Sequence, residues 1–130
     1  MLALALSPAA AAQSLDVPLT SAPGDAGRGR TIVTTRQIGL CVLCHAGPFP
    51  DRHLHGTIAP DLTGVGTRLT AGEIRMRLVD PAASNPDSIM PSYRRAGGAL
   101  RPGRAFRDNP ILSDQAIEDV VAFLATLKEE

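Results

Sequence analysis

Both cysteines of this 130-residue chain stand in one five-residue stretch, Cys41-Val-Leu-Cys44-His45. Two thiols three positions apart can add to the two vinyl groups of one haem. The imidazole that follows can then reach the iron from the same face, which is the spacing of covalent haem attachment. Three other chemistries use similar residues. A dithiol oxidoreductase needs the pair beside a strand–helix–strand unit, and no such pattern flanks it. A zinc-stabilised module could recruit Cys41 and Cys44 with His53 and His55, although His53-x-His55 departs from the usual histidine spacing. A disulfide between Cys41 and Cys44 would leave His45 without a role.

An iron held by His45 takes a sixth ligand, commonly a methionine or a histidine, and methionine raises the potential. Met76, Met90, His53 and His55 are available. Met76 falls among apolar neighbours in a predicted helix, where methionine usually fills core space. His53 and His55 follow His45 by too few residues to reach the opposite face easily. Met90 lies in Ser88-Ile-Met-Pro-Ser-Tyr93, a loop stiffened by Pro91 that can close over the far side. It is the expected ligand. A ligating histidine normally gives its other ring N–H to a carbonyl or carboxylate. Ile58-Ala-Pro60-Asp-Leu62 offers the Pro60 carbonyl, although on its own this reads as an ordinary turn proline.

The elements that must hold these residues are helical. Asp25 to Ile38 carries Ile32, Val33 and Ile38 between arginines, a short helix running into Gly39. Thr70-Ala-Gly-Glu73 is a capping-box pattern, opening a helix with Ile74, Met76, Leu78 and Val79 that Pro81 stops. After Pro110 and Ser113, the residues Ile117, Val120, Val121, Leu124 and Leu127 form a helical stripe. Asp114, Glu118 and Asp119 in its first turns and Lys128 in its last complement the helix dipole. Strand signals are nearly absent. The expectation is an all-α fold of three to four helices joined by long aperiodic loops, 46–69 and 80–112. Structureless connections beyond about 15 residues are uncommon, but they become reasonable when wrapped around a large ligand. Composition agrees, because Phe49, Tyr93, Phe106 and Phe123 are the only aromatic residues and there is no Trp. Aromatic side chains normally supply much of a core's volume, so something other than protein could fill the middle.

Thirteen Lys and Arg balance thirteen Asp and Glu. No excess positive charge is available to displace phosphate counterions, which excludes a nucleic-acid binder. No apolar run approaches the roughly 18 residues of a membrane span. Met1 to Ala12 is apolar and Ala-rich, with small residues at Ala10-Ala11-Ala12, and resembles the end of a secretory signal without its basic start. The expected organisation is a signal remnant over 1–12, a linker over 13–23 holding Pro18 and Pro23, and one domain over 24–130.

With CVLCH, the Pro60-Asp-Leu segment, the Met90-Pro91 loop and a closing helix holding Phe123-Leu124, residues 24–130 resemble the class I cytochrome c family. Three stretches narrow this: Pro60-DLTGVGTRLTAGEIRMRLVDP-Ala82, Asn85-PDSIMPSY-Arg94 and Ile111-LSDQAIEDVVAFLATLK-Glu129. They are similar to SoxX, the small cytochrome subunits of the SoxAX complexes of bacterial thiosulfate oxidation. Leu40 departs from that pattern, since Asn is expected before the first cysteine. The resemblance implies a cytochrome c-like fold and one haem c, joined to Cys41 and Cys44 and ligated by His45 and Met90. It also implies that the Pro60 carbonyl receives the His45 hydrogen bond and that Phe123-Leu124 packs on the first helix near Gly39. Its further implications are a SoxA-like partner that does the sulfur chemistry, the carrier SoxYZ, a small cytochrome c as electron acceptor, and a periplasmic location. With both thiols used and the iron closed, no catalytic residue is assigned and the chain is an electron relay. A freely diffusing cytochrome c is the alternative. Arg94, Arg95, Arg101, Arg104 and Arg107 form either a docking or propionate-binding face or a solvated loop.

Overall fold

The computed structural model describes residues 13–95 and 109–128. Helix α1 (Ala26–Thr34) is capped by Asp25, whose side chain accepts the Arg28 N–H. The helix predicted to run on to Ile38 is interrupted at Thr35, which is extended (φ −98°, ψ 102°) before α2 (Arg36–Gly39) restarts. The hydroxyls of Thr31, Thr34 and Thr35 each donate to the carbonyl four residues back. Such back-bonding competes with the helical ladder and bends it.

Helices α3 (Val65–Arg68) and α4 (Ala71–Val79) follow, the latter opened by the predicted Thr70–Glu73 capping box. Pro81 ends α4 and also begins α5 (Pro81–Ser84), where its missing N–H costs nothing. Helix α6 (Asp114–Ala125) is capped by Ser113, so Leu127 and Lys128 lie just past its end. The loops expected over 46–69 and 80–112 therefore hold α3, α5 and a 3-10 turn over Arg52–Leu54. Single turns of this length are too short for periodicity to reveal. Among the described residues there is no strand, and no helix is long and apolar enough to cross a membrane.

The core forms where α1 crosses α6. A Cβ on Gly29 would strike the Asp119 carbonyl and the Phe123 side chain, and one on Gly24 would strike the Glu118 carbonyl. The two helices thus meet almost backbone to backbone. Phe123 reaches the first helix at Gly29. Val33, Ile117 and Val120 are fully buried at the crossing, Ile74 and Leu78 of α4 cover it, and Phe49, Leu62, Val65, Tyr93 and Leu112 come from the loops.

Glu118 and Asp119, read from the sequence only as acids that suit the helix dipole, are both buried. Arg75 holds Glu118 through two parallel 2.8 Å hydrogen bonds inside the fold. Arg28 grips Asp119 from the surface at 2.8 and 3.1 Å. Residues 14–19 complete the inner pair as a strap: Leu15 C=O accepts from Arg75 at 2.7 Å and Leu19 N–H donates to Glu118 at 3.2 Å. Burial pushes Glu118 up, but the Arg75 hydrogen bonds, the Leu19 N–H and the Arg75 charge outweigh it and hold the carboxyl below its ordinary value.

Candidate functional site

The five-residue motif follows α2 through a sharp reversal. Leu40 takes a left-handed conformation (φ 60°, ψ −1°), and a 3-10 turn over Cys41–Leu43 closes behind it. The Cys44 and His45 N–H groups both donate to the Cys41 carbonyl, at 3.2 and 2.9 Å. One turn therefore brings Cys41, Cys44 and His45 together. Cys41 is buried and Cys44 half-buried, both as free thiols. Burial pushes the Cys41 thiol up to about 11.

His45 Nδ1 lies 2.6 Å from the Pro60 carbonyl. A carbonyl can only accept, so Nδ1 carries the proton and the lone pair is left on Nε2. Two backbone bonds flank this contact, Ala59 N–H to Cys44 C=O at 3.0 Å and Leu62 N–H to Ala46 C=O at 2.8 Å. Two thiols beside an imidazole whose free lone pair is held in one tautomer form a donor set that fits a covalently attached haem.

Met90 belongs to a separate loop and lies half-buried against the core. Its N–H donates to Ser88 Oγ at 3.2 Å. Beyond it, Ser92 Oγ donates to Val79 C=O at 2.6 Å and Tyr93 N–H to Leu78 C=O at 2.8 Å, fastening the loop to the end of α4. The buried Tyr93 hydroxyl donates to the Gly39 carbonyl at 2.6 Å. This joins the Met90 loop to the residue two places before Cys41. Sequence reasoning missed this strut, because a lone tyrosine carries no pattern that announces its partner.

Met76 is half-buried on α4, and His53 is exposed in the Arg52–Leu54 turn. His55 Nε2 lies 3.0 Å from the Pro50 carbonyl, and its ring leans on Phe49 with centroids 5.9 Å apart. Among the described residues, Cys41, Cys44, His53 and His55 form no group able to hold a metal ion. Arg94 pairs with Asp114 at 2.9 Å and Arg95 with Asp80 at 3.8 Å. Arg101, Arg104, Arg107, Phe106 and the segment 1–12 lie outside the described residues.

No family model and no curated protein matches this chain. Among solved structures, a chain of the SoxXA crystal structure from P. pantotrophus is 41% identical with a TM-score of 0.80, covering 90% of this chain and 91% of that one. The c-type cytochrome SorU from Sinorhizobium meliloti is more distant: it is 23% identical with a TM-score of 0.48, covering 79% of this chain and 90% of that one. Identity at this level over nine-tenths of both chains joins the helical fold to the CVLCH turn, and the chain belongs to the SoxX family of class I c-type cytochromes, proteins of electron transfer.

Proposed function

We propose that this chain is the electron-relay subunit of a SoxXA-type assembly and carries a single haem c. Cys41 and Cys44 would hold the haem through thioethers, and His45 Nε2 and Met90 would supply the ligands to its iron. The haem supplies one-electron redox chemistry at its iron. The protein binds it covalently, fixes the His45 tautomer through Pro60, and holds the Met90 loop through Tyr93. The observation that carries this reading is the 2.6 Å contact of His45 Nδ1 with the Pro60 carbonyl within the turn that also holds both thiols.

In this reading residues 24–130 are the cytochrome domain, residues 13–23 are its N-terminal extension, and residues 1–12 are the remnant of an export signal. Attachment of haem c outside the cytoplasm puts the mature protein in the periplasm. Its partner is a SoxA-like cytochrome, which joins thiosulfate to a cysteine of a SoxYZ-like carrier. Electrons from that oxidation pass through this chain to a small soluble cytochrome c.

A reduced-minus-oxidised visible spectrum of exported protein, with a denaturing gel stained for covalent haem, tests the cofactor. Sharp reduced bands and a stained band near the chain's mass are expected, and a colourless chain with zinc or reactive thiols would overturn the reading. Met90→Ala is expected to keep the covalent haem, change the oxidised spectrum and lower the potential. An unchanged spectrum and potential would transfer the ligand role to Met76, His53 or His55. Co-purification with a second cytochrome separates the subunit from a freely diffusing carrier.

A further inference from the structure

The hydrogen bond that fixes His45 is the middle rung of a short ladder between residues 44–46 and 59–62. Its Pro60 side has little local support, since proline has no N–H and the residues from 56 to 63 contain no helix. One guanidinium joins the two sides at the open end. Arg52 Nη1 donates to the Gly47 carbonyl at 2.8 Å, and Nη2 pairs with the Asp61 carboxylate. The other Asp61 oxygen accepts the Thr63 N–H at 2.8 Å, and the Asp61 carbonyl accepts from Arg68 at 3.0 Å. The peptide that presents the Pro60 carbonyl is thereby held from the side chain and from the backbone of the next residue.

The Arg52 and Asp61 side chains are 56% and 40% exposed. Pairs this wet contribute little to stability, so its place at the end of the ladder matters more than its energy. Arginine suits the position because its planar fork can serve two acceptors at a fixed angle, which an ammonium cannot. We infer that Arg52, through Asp61, is a positioning residue that keeps the Pro60 carbonyl on His45 and thereby sets the donor strength of the axial imidazole. The inference rests on the haem reading above. A histidine whose N–H is held by a strong acceptor is the more basic ligand, which favours ferric iron and lowers the potential.

The test uses the full haem-loaded chain with Arg52→Lys, Asp61→Asn and the double variant, and with Arg30→Lys on the exposed face of α1 as control. Arg52→Lys retains the charge but cannot reach both acceptors. A pure field effect would leave its potential unchanged and would raise that of Asp61→Asn. Positioning predicts a rise in both, with the reduced-to-oxidised ratio at a fixed poise up roughly threefold, the equivalent of part of one hydrogen bond. The double variant is expected to rise no further than the larger single. The His45 Nδ1 proton, followed by NMR, is expected to exchange faster with solvent in both single variants. An Arg52→Lys protein with wild-type or lowered potential, or with unchanged proton exchange, would overturn the inference while leaving the haem reading intact. Wild-type protein without covalent haem would overturn that reading instead.

Discussion

Leu40 occupies a left-handed conformation (φ 60°) that its branched side chain resists, and among the described residues only Asp51 shares that trait without being glycine. Asparagine, expected there from the family resemblance, tolerates this region because its short polar side chain bonds locally. Leu40→Asn is therefore expected to stabilise the holoprotein by about 1 kcal/mol, read as a higher urea midpoint at unchanged slope. A lower midpoint would mean that the packing of Leu40 outweighs the strain. Tyr93→Phe keeps the buried ring and removes only the donor to Gly39, so a loss of about 1 kcal/mol in the same assay is expected. At this scale the chemistry of the attachment turn was legible, because CVLCH is a local pattern. The partners of Tyr93 and Arg52 were not, because Gly39 lies 54 residues from Tyr93, and a hydrogen bond to a carbonyl leaves no trace in residue identity.

The element that most constrains the rest is the α1–α6 crossing. Gly29 admits no side chain, so Gly29→Val is expected to cost about 3 kcal/mol or to prevent folding, with thermal unfolding as the measure. The same crossing hides Glu118 and Asp119, whose burial the helix-dipole reading did not reveal. The apolar stripe of Ile117, Val120, Val121 and Leu124 reads as one face. Phe123 is also buried and widens that face over the acids, and it was the available signal. Removing one partner of a buried pair strands the other charge. Glu118→Ala is expected to cost about 3–5 kcal/mol, whereas Arg75→Met with Glu118→Leu is expected to recover most of it. Recovery in the double variant would show that the pair's own attraction adds little net stability. The three main helices were legible from their caps and stripes. The one-turn helices α2, α3 and α5 were not, since four residues cannot display a period.

At the scale of the whole molecule, acid is the condition to which the fold is most exposed. The Thr63 hydroxyl and N–H, then Arg52, hold Asp61 down to about 2 from an ordinary 3.8. Asp119 is lowered chiefly by its Arg28 hydrogen bond, and Glu118 lies below its usual value as well. Groups depressed in the native state bind more protons when unfolded, so their contribution is complete above the unfolded value and is lost as pH falls through the folded one. Unfolding midpoints are therefore expected to drop as pH falls, with the Asp61 part of the loss between 3.8 and about 2. That part is expected to vanish in Asp61→Asn. Fold class was legible from the scarcity of strand signals and aromatics, but the strap over residues 14–19 was not, because prolines read as linker. Its contacts also bear on the order of events during synthesis. Leu15 finds Arg75 60 residues downstream, Leu19 finds Glu118 99 downstream, and Arg28 finds Asp119 91 downstream. A chain made from its N-terminus can close the last two, both to α6, only when the final helix emerges. Native contacts of such long range form late, so the N-terminal strap and α1 are fastened to the fold only once α6 is present.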